Sequence, residues 1–200
     1  EVERLAGPGM GGDEGEAAGE AARYGEAEPV LQEALDIRRR AFREPHPEIA
    51  NSLMQMGQLK NELGQLDKAE ALMRESLAMR LQMLGPDHPD VGTSYNNLAS
   101  LLHDRRDYDR AEEMYRASIA INRKRLGEDH PESAVTLNNL ASLLEDRGDL
   151  VQAEAIFREA LAIRRKALGE EHPAVARGLN NLAIVLIKQN KIAEAQTLAE

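Results

Sequence analysis

Four histidines, His46, His88, His130 and His172, are each followed by proline and recur every 42 residues. Histidine is the commonest protein ligand for zinc, so four on one period invite a metal reading. Zinc holds its nitrogens at about 2.0–2.1 Å, whereas equivalent side chains on packed helices stand at least ~8–10 Å apart. Four such residues cannot converge on one ion, although two neighbours could. The reading that fits all four is structural, at the start of a helix. His103 falls outside the period and reads as a lone surface residue near a helix end. Glu70, Glu112 and Glu154 also repeat at 42 residues and read as structural polar positions rather than general acids. The chain has no H-E-x-x-H, no P-loop and no nucleophile elbow. The expectation is therefore a protein that is not an enzyme and needs no metal or cofactor.

The more informative polar residues are asparagine pairs: Asn96-Asn97, Asn138-Asn139 and Asn180-Asn181. Asparagine is a poor mid-helix residue, yet these pairs fall inside helical patterns. At 100° per residue, Thr93, Asn97, Ser100 and Asp104 form a stripe well away from the apolar one. The matching sets are Asn51, Gln55, Gln58, Glu62; Val135, Asn139, Ser142, Asp146; and Arg177, Asn181, Ile184, Lys188. Acids on this stripe (Glu62, Asp104, Asp146) give way to Arg177 and Lys188 toward the C-terminus, where Ile184 and Ile187 add apolar area.

The elements that must position these side chains follow from the repeat. Aligning 85–126 with 127–168 gives 22 identities in 42 positions without a gap, far beyond chance. Each unit reads as two helices. Helix A follows His-Pro and carries an i, i+3, i+4, i+7 stripe such as Tyr95, Leu98, Ala99, Leu102. A turn follows at Gly64, Arg106, Gly148 or Asn190, and then helix B, with Ala153, Ile156, Phe157, Ala160, Leu161 and Ile163 in the third full unit. Gly85, Gly127 and Gly169 are expected to be left-handed C-terminal residues, and the prolines to take the first helical position. Residues 1–21 read as a disordered, acidic and Gly-rich segment. Residues 22–44 read as a partial repeat with helix B only, 45–86, 87–128 and 129–170 as repeats, and 171–200 as a truncated repeat of a longer chain.

Composition narrows the class. Hydrophobic residues are 42% but aromatics only 3%, with no Trp or Cys, which suits packed helices better than a β-sandwich. The net charge of −10 is concentrated in residues 1–28, and no basic stripe offers itself to phosphates, so nucleic acid is not an expected partner. The absence of cysteine, of a signal-peptide pattern and of a long apolar run points away from a membrane and an oxidising compartment, toward the cytoplasm.

Leu-Ala-x-x-Leu, Gly-x-Leu/Tyr and Ala-x-x-x-Phe/Tyr resemble the tetratricopeptide repeat, with Ala for its Gly and Leu for its first Tyr. Asn96-Asn97-Leu98-Ala99, Ala153-Glu154-Ala155-Ile156-Phe157 and Leu126-Gly127-Glu128-Asp129-His130-Pro131 resemble its 42-residue, kinesin light chain-like subclass over roughly residues 22–200. The resemblance implies an all-α, right-handed superhelical solenoid of antiparallel helix pairs. It also implies a scaffold or adaptor that takes an extended peptide of a partner protein in a concave groove lined by helix A. In that family the position before Leu-Ala often carries an Asn that holds the bound backbone. Asn97, Asn139 and Asn181 occupy it, and Gln55 departs from it. Asn96, Asn138, Asn180, Arg177, Lys188 and Ile184 complete the candidate peptide-binding set. Two alternatives stay open: that the asparagines bond only to neighbouring repeats, and that the array is the autoregulatory sensor of a larger signalling NTPase.

Overall fold

The computed structural model describes residues 12–198, with side chains from residue 25. These residues form α1 (Gly12–Ala41), α2 (Pro47–Glu62), α3 (Leu66–Leu84), α4 (Pro89–Asp104), α5 (Tyr108–Leu126), α6 (Pro131–Arg147), α7 (Leu150–Leu168), α8 (Pro173–Lys188) and α9 (Ile192–Thr197). No strand occurs among the described residues. Helices α2/α3, α4/α5 and α6/α7 are the tightest pairs, each pair stacks on the next, and α4 also approaches α6 directly. Consecutive helix pairs of this kind make a TPR-like solenoid, as the period required.

One boundary differs from the sequence reading. The chain was expected to be disordered over 1–21 and helical only from the start of the partial repeat, yet α1 already begins at Gly12. Ala17, Ala18, Ala21 and Ala22, interleaved with glutamates, favour helix there and Gly12, Gly15 and Gly19 oppose it, with no apolar stripe to mark the segment. Residues 1–11 of that expected segment lie outside the described residues.

The His-Pro joint acts as a cap. His46, His88, His130 and His172 are N-caps with extended backbones, and each proline follows at the first helical position. Each Nδ1 accepts a hydrogen bond from a backbone N–H two residues on: Glu48 (3.2 Å), Asp90 (3.2 Å), Glu132 (3.2 Å) and Ala174 (3.1 Å). The imidazole thus does what Ser or Asp does at other helix starts, satisfying one orphan donor. With Nδ1 accepting, the proton of the neutral ring sits on Nε2.

The glycines before the joint are not in the left-handed helical region that was expected. Gly127 has φ 98° and ψ 163°, and Gly85 and Gly169 are alike. That combination of positive φ and extended ψ is open essentially to glycine alone. The turn between paired helices is the left-handed one, at Gly64, Arg106, Gly148 and Asn190, with φ from 60° to 90°. In each of these turns the next N–H reaches a carbonyl five residues back, as in Asp107 to Leu102 at 2.9 Å and Asp149 to Leu144 at 2.8 Å.

Packing follows the apolar stripes. Leu98, Ala99 and Leu102 of α4 and Leu140, Ala141 and Leu144 of α6 are buried, as are Ala153, Phe157, Ala160, Leu161 and Ile163 of α7. Tyr95 and Ile156 border this core. Ala69, Ala111 and Ala153 show no exposure at all, marking where paired helices approach most closely.

Glu70, Glu112 and Glu154 seal one repeat to the next. Glu70 meets Arg74 at 2.7 Å and, from the following repeat, Arg105 at 2.8 Å. Glu112 likewise meets Arg116 and Arg147, both at 2.7 Å. Glu154 meets Arg158 at 2.9 Å and Lys191 at 2.7 Å. The Lys191 hydrogen bond, with Arg158 and Gln189, outweighs burial and holds Glu154 below the usual carboxylate range. At Glu112 burial pushes upward, but Arg116 and Arg147 prevail and the net shift is also downward.

Two outcomes follow for stability. His130→Ala should cost about 0.5–2 kcal/mol in urea unfolding, whereas His130→Asn should restore most of it; equal losses would show that the ring does more than cap. Because the Glu154 pKa is depressed on folding, its contribution is present above its ordinary value near 4.5 and is lost as pH falls through the lower folded value. Glu154→Gln should therefore melt below the parent at pH 7 and approach it on acidification. A gap that stays constant to low pH would contradict the charged role.

Candidate functional site

The predicted second stripe faces solvent on α2, α4, α6 and α8. Asn51, Gln55, Gln58 and Glu62 are exposed, as are Thr93, Ser100, Val135, Arg177, Ile184 and Lys188, while Asn97, Asn139 and Asn181 are half-buried. Because the helices stack on a 42-residue period, residues 43 apart face each other across neighbouring A helices. Asn139 donates through Nδ2 to Asn96 Oδ1 at 3.2 Å, and Asn181 to Asn138 Oδ1 at 3.0 Å. The first Asn of one pair thus holds the second Asn of the next. Gln55 departs from the pattern and Met54 occupies the place before it, so no equivalent acceptor faces Asn97. Asn97 makes no side-chain hydrogen bond among the described residues and borders a cleft with Gln58, Asn61, Glu62 and Ser100.

A parallel ladder closes the C-terminal ends of the same helices. Asn61 donates to Asp104 at 3.2 Å, His103 Nε2 lies 2.8 Å from Asp146, and Lys188 meets Glu145 at 2.7 Å. His103 is therefore no lone surface residue; it also tilts against Tyr108, with ring centroids 5.9 Å apart. Lys188 is engaged rather than free, and its hydrogen bond to Glu145 pushes its pKa up.

Arg177 differs. It forms no ion pair among the described residues and lines a cavity of about 160 Å³ together with Asn138, Arg164, Asn180 and Asn181. The Arg164 Nη1 comes from α7 and donates to Asn138 Oδ1 at 3.3 Å and to the Ala174 carbonyl at 3.4 Å. Burial draws the Arg164 pKa down, and the neighbouring charge of Arg177 draws it further. The sequence reading missed Arg164 because it lies on a B helix, whose outer surface faces away from the stripe. The column Arg38, Arg80, Asn122, Arg164 was the signal available. Ile184 and Ile187 are 47% and 54% exposed beside this end of the face.

Repeated helix pairs, joined by capped turns and presenting a polar face from every first helix, define a helical-repeat scaffold. The profile of the tetratricopeptide repeat matches residues 14–82, 62–124, 90–166 and 132–200, and the chain belongs to that family. Tetratricopeptide repeats are in general non-catalytic scaffolds for protein interaction. Among solved structures, BtubC (BKLC) from P. vanneervenii is 26% identical, with a TM-score of 0.78 over 88% of this chain and 70% of that one. A kinesin light chain-type protein of P. anserina with nearly identical TPR-like repeats is 25% identical, with a TM-score of 0.76 over 92% of this chain and 90% of that one. RapI shares the fold at 18% identity and a TM-score of 0.66, over 92% of this chain and 47% of that one. No curated protein sequence matches the chain. Among the described residues no helix is long and apolar enough to cross a membrane.

The packing and ladder roles separate in mutants. Leu140→Ala should cost roughly 2–5 kcal/mol as a buried large-to-small change. Asn139→Ala removes one half-buried hydrogen bond and should cost only about 0.5–1.5 kcal/mol. Denaturant titration of both measures this, and comparable losses would make the Asn ladder chiefly structural.

Proposed function

We propose that the exposed face of α2, α4, α6 and α8 captures an extended segment of a partner protein, acidic where it passes α6 and α8. The observation that carries this reading is Arg177: an ionised side chain beside Asn138, Asn180 and Asn181, bordering a cavity and matched to no carboxylate among the described residues. Elsewhere along the face Lys188 is paired with Glu145 and Asp146 meets His103, while Asp104 accepts only from the Asn61 amide and Glu62 has no cationic partner among the described residues. Arg177 is thus the one cation of the stripe without a carboxylate there. The asparagines retain capacity for a backbone. Asn139 and Asn181 each commit one N–H to the ladder, leaving a second N–H and the amide oxygen, and Asn97 commits neither. Asn96 and Asn138 orient these amides from the preceding repeat, while Asn180 is exposed at the cavity. Ile184 offers apolar contact, and Lys188 with Glu145 forms the polar edge.

Backbone contacts carry little sequence information, so the asparagines would supply affinity and Arg177 selectivity. A peptide array supplies the ligand, and fluorescence titration of the best acidic peptide at two salt concentrations supplies the test. Arg177→Glu should weaken it markedly, more so at low salt, since exposed charges are screened. Asn139→Ala should weaken every retained peptide by about 0.5–1.5 kcal/mol. Unchanged affinity in both variants would place the site elsewhere.

A further inference from the structure

In the earlier repeats an arginine near the end of helix B is held by the helix A that follows it. Arg38 donates to Ser52 Oγ at 2.6 Å and pairs with Glu48 at 3.4 Å. Arg80 donates to Ser94 Oγ at 2.7 Å, to the Asp90 carbonyl at 3.1 Å and to Asn51 Oδ1 at 2.8 Å. The third unit replaces the arginine by Asn122. The 129–170 repeat restores it as Arg164, but the unit that follows lacks the carboxylate and the hydroxyl that face the earlier arginines. Ala174 stands in the column of Glu48, Asp90 and Glu132, and Gly178 in that of Ser52, Ser94 and Thr136. In the same turn of helix, Arg177 replaces Asn51, Thr93 and Val135. An acid and a hydroxyl are thus lost and a second cation gained at one place.

The consequences are visible in the geometry. Arg164 keeps two long hydrogen bonds, at 3.3 and 3.4 Å, where Arg80 makes three between 2.7 and 3.1 Å. Burial lowers both pKa values; at Arg80 the Asp90 carboxylate opposes the shift, whereas at Arg164 the Arg177 charge adds to it. Arg164 and Arg177, with the amides of Asn138, Asn180 and Asn181, line one cavity of about 160 Å³. Neither arginine has a carboxylate partner among the described residues.

Resting on the groove reading above, we infer that this cavity is a dianion subsite for a phosphorylated side chain on the bound segment. A single carboxylate would leave one of the two positive charges uncompensated. A phosphomonoester brings roughly −1.5 to −2 charge at neutral pH and three acceptor oxygens. Guanidinium groups match such oxygens in forked pairs, and side-chain amides can donate to the remainder. Selectivity for phosphate thus arises where the last unit departs from the repeat, and Gly178 is the residue that leaves Arg164 available. A Cβ at Gly178 would lie 3.1 Å from Leu161 Cδ1 and 3.4 Å from Arg164 Nη1. The Leu35/Ser52 and Leu77/Ser94 pairs show that leucine and serine coexist at the equivalent positions, so a serine at 178 needs only a shift of the Leu161 side-chain end.

The test titrates the whole chain with methyl phosphate, dimethyl phosphate and acetate at pH 7.5, following side-chain arginine and asparagine resonances by NMR. Methyl phosphate, the dianion, should bind at least tenfold more tightly than either monoanion and shift the Arg164, Arg177, Asn180 and Asn181 signals. Arg164→Gln should weaken it at least threefold. So should Gly178→Ser, which keeps both arginines but returns the hydroxyl that recaptures Arg164, with circular dichroism confirming an unchanged fold. A matched peptide array bearing serine or phosphoserine should show the same preference. Equal binding of mono- and dianions, or methyl phosphate affinity unchanged in both variants, would overturn the inference. Peptides retained on the face without preference for phosphoserine would overturn it while leaving the groove reading intact. Retention of no peptide at all would remove both.

Discussion

A pair of antiparallel helices has apolar surface on both sides, and its own partner covers only one of them. The rest is covered by the neighbouring pair, and this dependence governs the whole array. Leu98 and Leu102 of α4 and Leu140 and Leu144 of α6 lie in one continuous core that runs from Met54 to Ala195. Ala69, Ala111 and Ala153 let the helices come close enough for that core to close. The capped His-Pro joints and positive-φ turns serve this stacking: each ends a helix where the next must begin and leaves few orphan backbone groups.

Once stacking is imposed at a constant 42 residues, any polar residue repeated in the sequence becomes a ladder in space. The asparagine pairs bond across helices because the first member of one faces the second member of the next. The glutamates of helix B become inter-repeat joints for the same reason. Structural and ligand-facing roles are therefore not exclusive on this face. An asparagine can bond its neighbour with one N–H and still present the rest of its amide. At Ala174, Arg177 and Gly178 the register is kept but the chemistry is not, and it is there that we place the proposed subsite.

Much of this was legible in the sequence, because periodic features repeat their own evidence. The cap at His130, the turn at Arg106 and the buried Leu140 each recur in equivalent places with a local physical reason. What escaped had no such local reason. The start of α1 at Gly12 has no apolar stripe to mark it, and a search for stripes cannot see it. The pairings of Lys188 with Glu145 and of His103 with Asp146 depend on which side chains meet across stacked helices, so both residues read as free in one dimension. Arg164 was hidden because its importance lies in what its neighbours lack. Only when compared with Arg80, held by the Ser94 hydroxyl and faced by the Asp90 carboxylate, does the loss at Gly178 and Ala174 stand out.

Capture of a segment by the asparagine ladder requires that the partner meet the face of α2, α4, α6 and α8. A crystal structure of the whole chain with its tightest array-selected peptide reads this directly. The peptide should lie extended across α4, α6 and α8, its backbone within hydrogen-bond distance of Asn97, Asn139 or Asn181 and an anionic side chain against Arg177. A peptide seated on the outer surface of α3, α5 and α7, with the asparagine ladder untouched, would contradict it.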